Sequence, residues 1–179
     1  MPAIYLMKQG YGPNPLFNNH WGLLVSAGGT PSAKDLAGTF LHVHGSVAAG
    51  FAFEAKRGWT QITCEDPYRP FLIGEATPSS VSIDTSDLPM PEPDESEHGW
   101  ILDPTPRTEL EKALLRAPPP QPSLRSASVG NPSVIRGARA RLQDCQEWIR
   151  MALPYAVEAG HLEITEDIDV EEVLNVKNQ

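Results

Sequence analysis

The amino-acid sequence predicts an α+β protein in which an antiparallel sheet packs against helices. Three observations carry that prediction. Short apolar segments with period-two alternation recur between Ile4 and Gly74, separated by turn residues. A stripe at helical spacing, Leu142, Cys145, Trp148, Ile149 and Ala152, appears late in the chain. Between these regions the composition shifts to proline, serine and acid. A chain of 179 residues, 40% hydrophobic and 21% charged, has the size and composition of one globular domain. The expected organisation is a single domain over 1–179 with a Pro-rich mobile insertion around 77–132.

The strands are expected in order. Ile4–Met7 is a short apolar run, and Gly10–Pro15 breaks it. The next strand begins near His20, with His20, Gly22 and Leu24 on one face and Trp21, Leu23 and Val25 on the other. Thr39–Gly45 follows, placing Phe40, His42 and His44 together and Leu41 and Val43 opposite. In Gly50–Arg57, Phe51, Phe53 and Ala55 alternate with Glu54 and Lys56, the pattern of an antiparallel strand with one wet face. Trp59–Cys64 continues that strand or forms its neighbour. Pro70–Gly74 is a short strand with proline at its start, where the missing N–H does least harm. Close spacing of these strands reads as a meander.

The helices come later. Thr105 and Pro106 suit the start of a helix carrying Leu110, Ala113, Leu114 and Ala117, and Pro118 suits its end. Pro118–Pro122 reads as a polyproline II linker. Val134–Ala159 is mostly helical in pattern, with Pro154 as a kink or a new start and Gly160 as a stop. Leu162–Val176 reads as a short extended piece, then a helix capped by Asp169.

Charge and cysteine content narrow the function. A net charge of −9 argues against a nucleic-acid backbone as partner. No apolar run reaches membrane-spanning length, and no signal peptide is legible. Two cysteines, Cys64 and Cys145, give no disulfide or zinc framework, so a reducing, cytoplasmic setting with free thiols is expected. Neither a metal nor another cofactor is expected.

Cys145 in Asp144-Cys145-Gln146-Glu147-Trp148 is the candidate nucleophile. If a helix begins at Asp144, Cys145 lies in its first turn, where the helix dipole and Arg136, Arg139, Arg141 and Arg150 lower the thiol pKa. If the helix begins near Ala138, Cys145 is a buried, inert residue on the stripe. A nucleophilic cysteine needs a histidine close in space. His20, His42 and His44 lie on strands beside apolar residues, whereas His98 and His161 are expected to face solvent. The same three strand histidines offer an alternative, a small metal site. A non-catalytic binding module is a further alternative. Gly28-Gly29-Thr30 lacks the lysine and following helix of a phosphate loop.

The order of these parts resembles the circularly permuted papain-like fold. That group includes the lecithin:retinol acyltransferase-like proteins, related phospholipid acyltransferases and amidases, and permuted NlpC-type peptidases. His20-Trp21-Gly22 and His42-Val43-His44-Gly45 match its two histidine elements, and Asp144–Trp148 matches its Asn-Cys-Glu-His-Phe. The chain also resembles uncharacterised fungal proteins with Asn-His-Trp-Gly and Cys-Gln-Glu-Trp signatures. The resemblance implies Cys145 as nucleophile, His20 as general base and His42, with His44 as fallback, as the group orienting the imidazole. It implies a hydrolase or acyltransferase acting on an amide, ester or thioester, with an acyl or peptide-like substrate. Three features depart from the family: the segment from His20 to His42 is longer, Asp144 replaces Asn, and no hydrophobic C-terminal stretch like that of the membrane acyltransferases follows.

Overall fold

The computed structural model describes residues 1–9, 20–26, 35–63, 68–90, 99–122 and 144–175. Among these, a seven-stranded antiparallel sheet and three α-helices form a mixed α+β architecture. The strands are β1 (Ala3–Gln9), β2 (Trp21–Ser26), β3 (Ala37–Ser46), β4 (Gly50–Thr60), β5 (Tyr68–Ala76), β6 (Ile101–Asp103) and β7 (Leu162–Ile164). The helices are α1 (Glu109–Leu114), α2 (Cys145–Glu158) and α3 (Val170–Asn175). The sheet order is β6-β4-β3-β2-β1-β5-β7.

The expected meander holds from β1 to β4 and ends there. β5 pairs with β1 rather than with β4. The physical reason lies in β1, whose residues from Ala3 to Lys8 are all buried. Such a strand needs a partner on each side, and β5 supplies the second. The free side of β4 is taken instead by β6, from the segment read as an insertion. Both outermost strands, β6 and β7, are three residues long, which leaves little unpaired edge. Pro70 lies within β5, opposite Met7, beyond the part of β5 that β7 covers.

Two cores flank the sheet. On one face Ile4, Leu6, Trp21, Leu23, Leu41, Val43, Phe53 and Ala55 pack with Leu110 and Leu114 of α1 and Trp148, Ile149 and Ala152 of α2. On the other, Tyr5, Met7, Leu24, Leu36, Phe40, Trp59 and Tyr68 form a smaller, aromatic core. In β2, β3 and β4 up to Arg57 the alternation read from the sequence assigns these side chains to their faces, and β4 then departs from it. Gly58, at φ +78°, is an extra residue in β4 between the pairs Thr39–Arg57 and Gly38–Trp59. This bulge reverses the alternation and turns Trp59 into the aromatic core, while Phe53, Ala55 and Arg57 face the helices.

Part of the Pro-rich segment belongs to the fold. The N-cap of α1 is Thr108, not Thr105, because Thr108 forms a reciprocal capping box with Glu111. Glu111 and Asp103 close on Arg57 of β4. The polyproline stretch lies beside β4: Phe51 N–H donates to Pro120 O at 2.8 Å, and Trp148 Nε1–H donates to Ala117 O at 3.0 Å. Residues 91–98 and 123–132 of that segment lie outside the described residues, as do Val134–Gln143 of the expected long helix. α2 runs through Pro154 without interruption. The expectation for the tail holds: β7 is extended, and Asp169 caps α3 through Glu172 N–H.

Candidate active site

The position of Cys145 follows from Asp144. Asp144 has extended backbone angles, φ −137° and ψ −173°, and its Oδ1 accepts from Gln146 N–H and Glu147 N–H, each at 3.0 Å. That is the geometry of an N-cap, so α2 begins at Cys145. The side chain of Cys145 is nevertheless buried, 5% exposed, because the first turn of α2 abuts the start of β2. The backbone N–H of Trp21 faces its sulfur, and those of Cys145 and Gln146 at the start of α2 add to the pull that favours the thiolate. Trp21 N is bonded directly to the carbonyl carbon of His20, so the sulfur lies one peptide unit from that residue.

Burial dominates the electrostatics of the thiol. Its pKa is pushed up to about 11, first by desolvation and then by the charge of Asp144, against the pull of the three N–H donors. This corrects the expectation of a lowered thiol pKa: one turn of helix dipole does not offset the loss of water. Arg136, Arg139 and Arg141 lie outside the described residues. Arg150 turns toward α3, donating to Leu174 O at 2.6 Å and Asn175 Oδ1 at 3.3 Å.

The histidines are set by strand pairing. His20 precedes β2, and its carbonyl accepts from Gln9 N–H at 2.9 Å. His42 lies in β3 and is 2% exposed. His20 Nε2 and His42 Nδ1 share a hydrogen bond of 2.9 Å, with the rings edge to face. Phe40 and Tyr68 flank His20, and Phe40 also flanks His42, so the pair sits on the aromatic core. Gly22 makes this possible: a Cβ there would lie 2.3 Å from Phe40 Cζ. Burial keeps both imidazoles neutral, with His20 lowered to about 4 and His42 to about 2. Lys56 and His44 push both in the same direction, and His20 adds to the shift of His42.

The structure therefore brings His20 and His42 into direct contact and sets Cys145 beside the peptide that follows His20. His44 is exposed, its ring centroid 6.3 Å from that of His42. His161, expected in solvent, is half-buried and shares a hydrogen bond of 2.8 Å with Ser80 Oγ. Cys64 and His98 lie outside the described residues. Among the described residues, no group of three His, Cys, Asp or Glu side chains is arranged to hold a metal ion. The facing nitrogens of His20 and His42 satisfy one another.

One participant was not singled out from the sequence. Glu54 pairs with His42 across β3 and β4, and its Oε2 lies 3.5 Å from His42 Nε2. The alternation of β4 already separates Glu54 and Lys56 from the phenylalanines. Only the register of β4 against β3 sets Glu54 opposite His42.

An α+β protein with a buried cysteine at a helix start and a paired histidine on the adjoining strands is the class that fold and site define. Residues 4–163 match a family of unknown function, DUF6540, and the chain belongs to that family. No curated protein and no solved structure matches the chain. No helix among the described residues is long and apolar enough to cross a membrane.

Proposed function

We propose that this chain is a cysteine-dependent hydrolase or acyltransferase of permuted papain-like arrangement, acting on an amide, ester or thioester. Cys145 is the nucleophile, His20 the general base and His42 the residue that orients it. The observation that carries this reading is the junction of α2 and β2. There the Cys145 sulfur accepts the Trp21 N–H, next to a histidine already hydrogen-bonded to a second one. A free, reduced thiol is required, in keeping with the cytoplasmic setting expected from the cysteine content.

The charge states define how the step runs. A thiol at about 11 beside an imidazole at about 4 rests as the neutral pair, not as thiolate and imidazolium. Proton transfer then accompanies attack. As the sulfur bonds to the substrate carbonyl carbon, its proton passes to His20, and the carbonyl oxygen takes the negative charge. The backbone N–H of Cys145, at the start of α2, is the donor assigned to that oxygen. Collapse breaks the bond to the leaving amine, alcohol or thiol, which takes the proton from His20. A thioester on Cys145 remains, to be resolved by water or a second acceptor.

The raised thiol favours a second reading, a non-catalytic binding module on the same fold. An activated ester separates the two. Native protein treated with p-nitrophenyl acetate is expected to release p-nitrophenolate in a burst and to carry the acetyl group on Cys145, located by peptide mass spectrometry. Cys145→Ala is expected to abolish the burst, and His20→Asn to slow it about a hundredfold. Labelling of Cys145 only after denaturation would leave the binding module as the correct reading.

A further inference from the structure

His42 Nε2 is buried and has no hydrogen-bond partner within normal geometry among the described residues, although its other nitrogen is engaged with His20. A buried ring nitrogen of this kind is costly unless something faces it. What faces it is the Glu54 carboxylate, whose Oε2 lies 3.5 Å away on the directly opposed residue of β4. We infer that Glu54 is a positioning residue for the Cys145 site: its carboxylate selects the tautomer of His42 and, through it, that of His20.

The argument is one of donors and acceptors. Both imidazoles are neutral, so each carries one N–H and one bare nitrogen. Two arrangements satisfy the hydrogen bond between them. If His42 Nδ1–H donates, His42 Nε2 is bare and its lone pair confronts the carboxylate. If His20 Nε2–H donates, His42 Nδ1 accepts and His42 Nε2–H points at Glu54. Only the second is electrostatically favourable, and it leaves His20 Nδ1 as the bare nitrogen. A bare nitrogen on His20 is what a general base for a neutral thiol must present. Glu54 thus does from β4 what an acid does in a nucleophile–histidine–acid triad, acting through one further imidazole. At 3.5 Å the contact is loose, as catalytic contacts without ligand often are.

The same carboxylate stands two residues from the cation Lys56 on β4. Lys56 and His44 of β3 both lower His20, while the Tyr68 ring of β5 packs against it. Glu54 lies directly opposite His42.

This inference rests on the proposed cysteine chemistry, and the test keeps the two apart. In the wild-type chain, long-range nitrogen–proton correlation spectra of ¹⁵N-histidine protein are expected to show His42 protonated at Nε2 and His20 at Nε2. The reverse assignment, with His42 protonated at Nδ1, would overturn the role of Glu54 whether or not Cys145 is catalytic. In Glu54→Gln, which keeps the shape and removes the charge, acetylation of Cys145 is expected to slow about tenfold. The acid limb of its pH profile is expected to move to lower pH, because imidazolium on His20 loses a compensating charge. Lys56→Met is expected to move that limb the opposite way. An unchanged rate and pH profile in Glu54→Gln, with a reactive wild-type Cys145, would overturn the inference and leave the cysteine reading intact. An inert wild-type Cys145 would overturn the cysteine reading, while the histidine spectra still decide the tautomer.

Discussion

β4 carries two buried polar clusters, one on each face of the sheet, and they are built on opposite principles. Toward the helices, Arg57 donates from Nε and Nη2 to Asp103 and from both terminal nitrogens to Glu111. Arg107 Nε donates to Asp103 at 2.6 Å, and Thr105 N–H does so at 3.1 Å. Two cations meet two carboxylates, and each carboxylate has several donors. Three residues earlier, on the aromatic face, Glu54 meets a neutral histidine pair through a single 3.5 Å contact, and His42 Nε2 lacks a closer partner. The first cluster pairs its charges and surrounds its carboxylates with donors, as expected of a structural joint between β4, β6 and α1. The second has capacity to spare, at His42 Nε2.

The largest expected effect of a single substitution comes from breaking the closed cluster. Arg57→Ala leaves Asp103 and Glu111 buried without their cation, and the expected loss is about 3–5 kcal/mol of unfolding free energy, read by urea titration. A loss comparable to that of an ordinary surface substitution would mean that water or rearranged arginines can replace Arg57, and the contrast between the clusters would fail.

A smaller effect is expected where the open cluster is packed. Gly22→Ala forces Phe40 from beneath the histidine pair, since the new Cβ would meet the ring at 2.3 Å. Strain of this kind costs about 1–3 kcal/mol. Slower acetylation of Cys145 is expected alongside it, because the ring that moves also flanks His20 and His42. Lost stability with undisturbed acetylation would show that the histidine geometry does not depend on Phe40.

The last effect separates the clusters by pH. Burial lowers His20 from 6.5 to about 4 and His42 to about 2, so the folded chain stays neutral at both while the unfolded chain takes up protons near 6.5. Their contribution to stability is therefore complete above pH 6.5 and falls as the pH drops, through about 4 for His20 and further for His42. Asp103 titrates in a different window. Burial raises its pKa, but the donors Arg107, Thr105 and Arg57 outweigh that and hold it below 3.8, so its contribution is lost only below the ordinary carboxylate range. Urea titrations from about pH 7 to about pH 4 are expected to show stability falling by up to about 1.4 kcal/mol per pH unit for each histidine proton. The slope is expected to flatten in a His20→Asn/His42→Asn double variant. An equal slope in that variant would place the acid sensitivity elsewhere.

Several particulars of the site were legible before the fold was known. Asp144 is a capping residue type, and it caps α2, which puts Cys145 in the first turn. The alternation around His20 and His42 assigns both to the face of Leu24 and Phe40, where they lie. The state of the thiol was legible only as two alternatives, a lowered pKa at a helix start or a buried, inert residue. The local rule for a cysteine at a helix start gives a lowered pKa, and the packing of α2 against β2 reverses its sign. Glu54 was not singled out because its role depends on strand register, and the bulge at Gly58 shows how one residue resets which face a side chain joins.

What the sequence determined by itself is local: alternation for the central strands, the helical stripe of α2, the cap at Asp144, and the candidate residues Cys145, His20 and His42. These depend on neighbours a few residues away, whose geometry the backbone fixes. What only the tertiary structure decided is relational. The pairing of β5 with β1, the joining of β6 and α1 to β4, the contact of the Cys145 sulfur with Trp21 N–H, and the placing of Glu54 opposite His42 all join residues distant in the chain. Such contacts arise from burying two faces of one sheet at once. That constraint acts on the whole chain, and no single segment carries it.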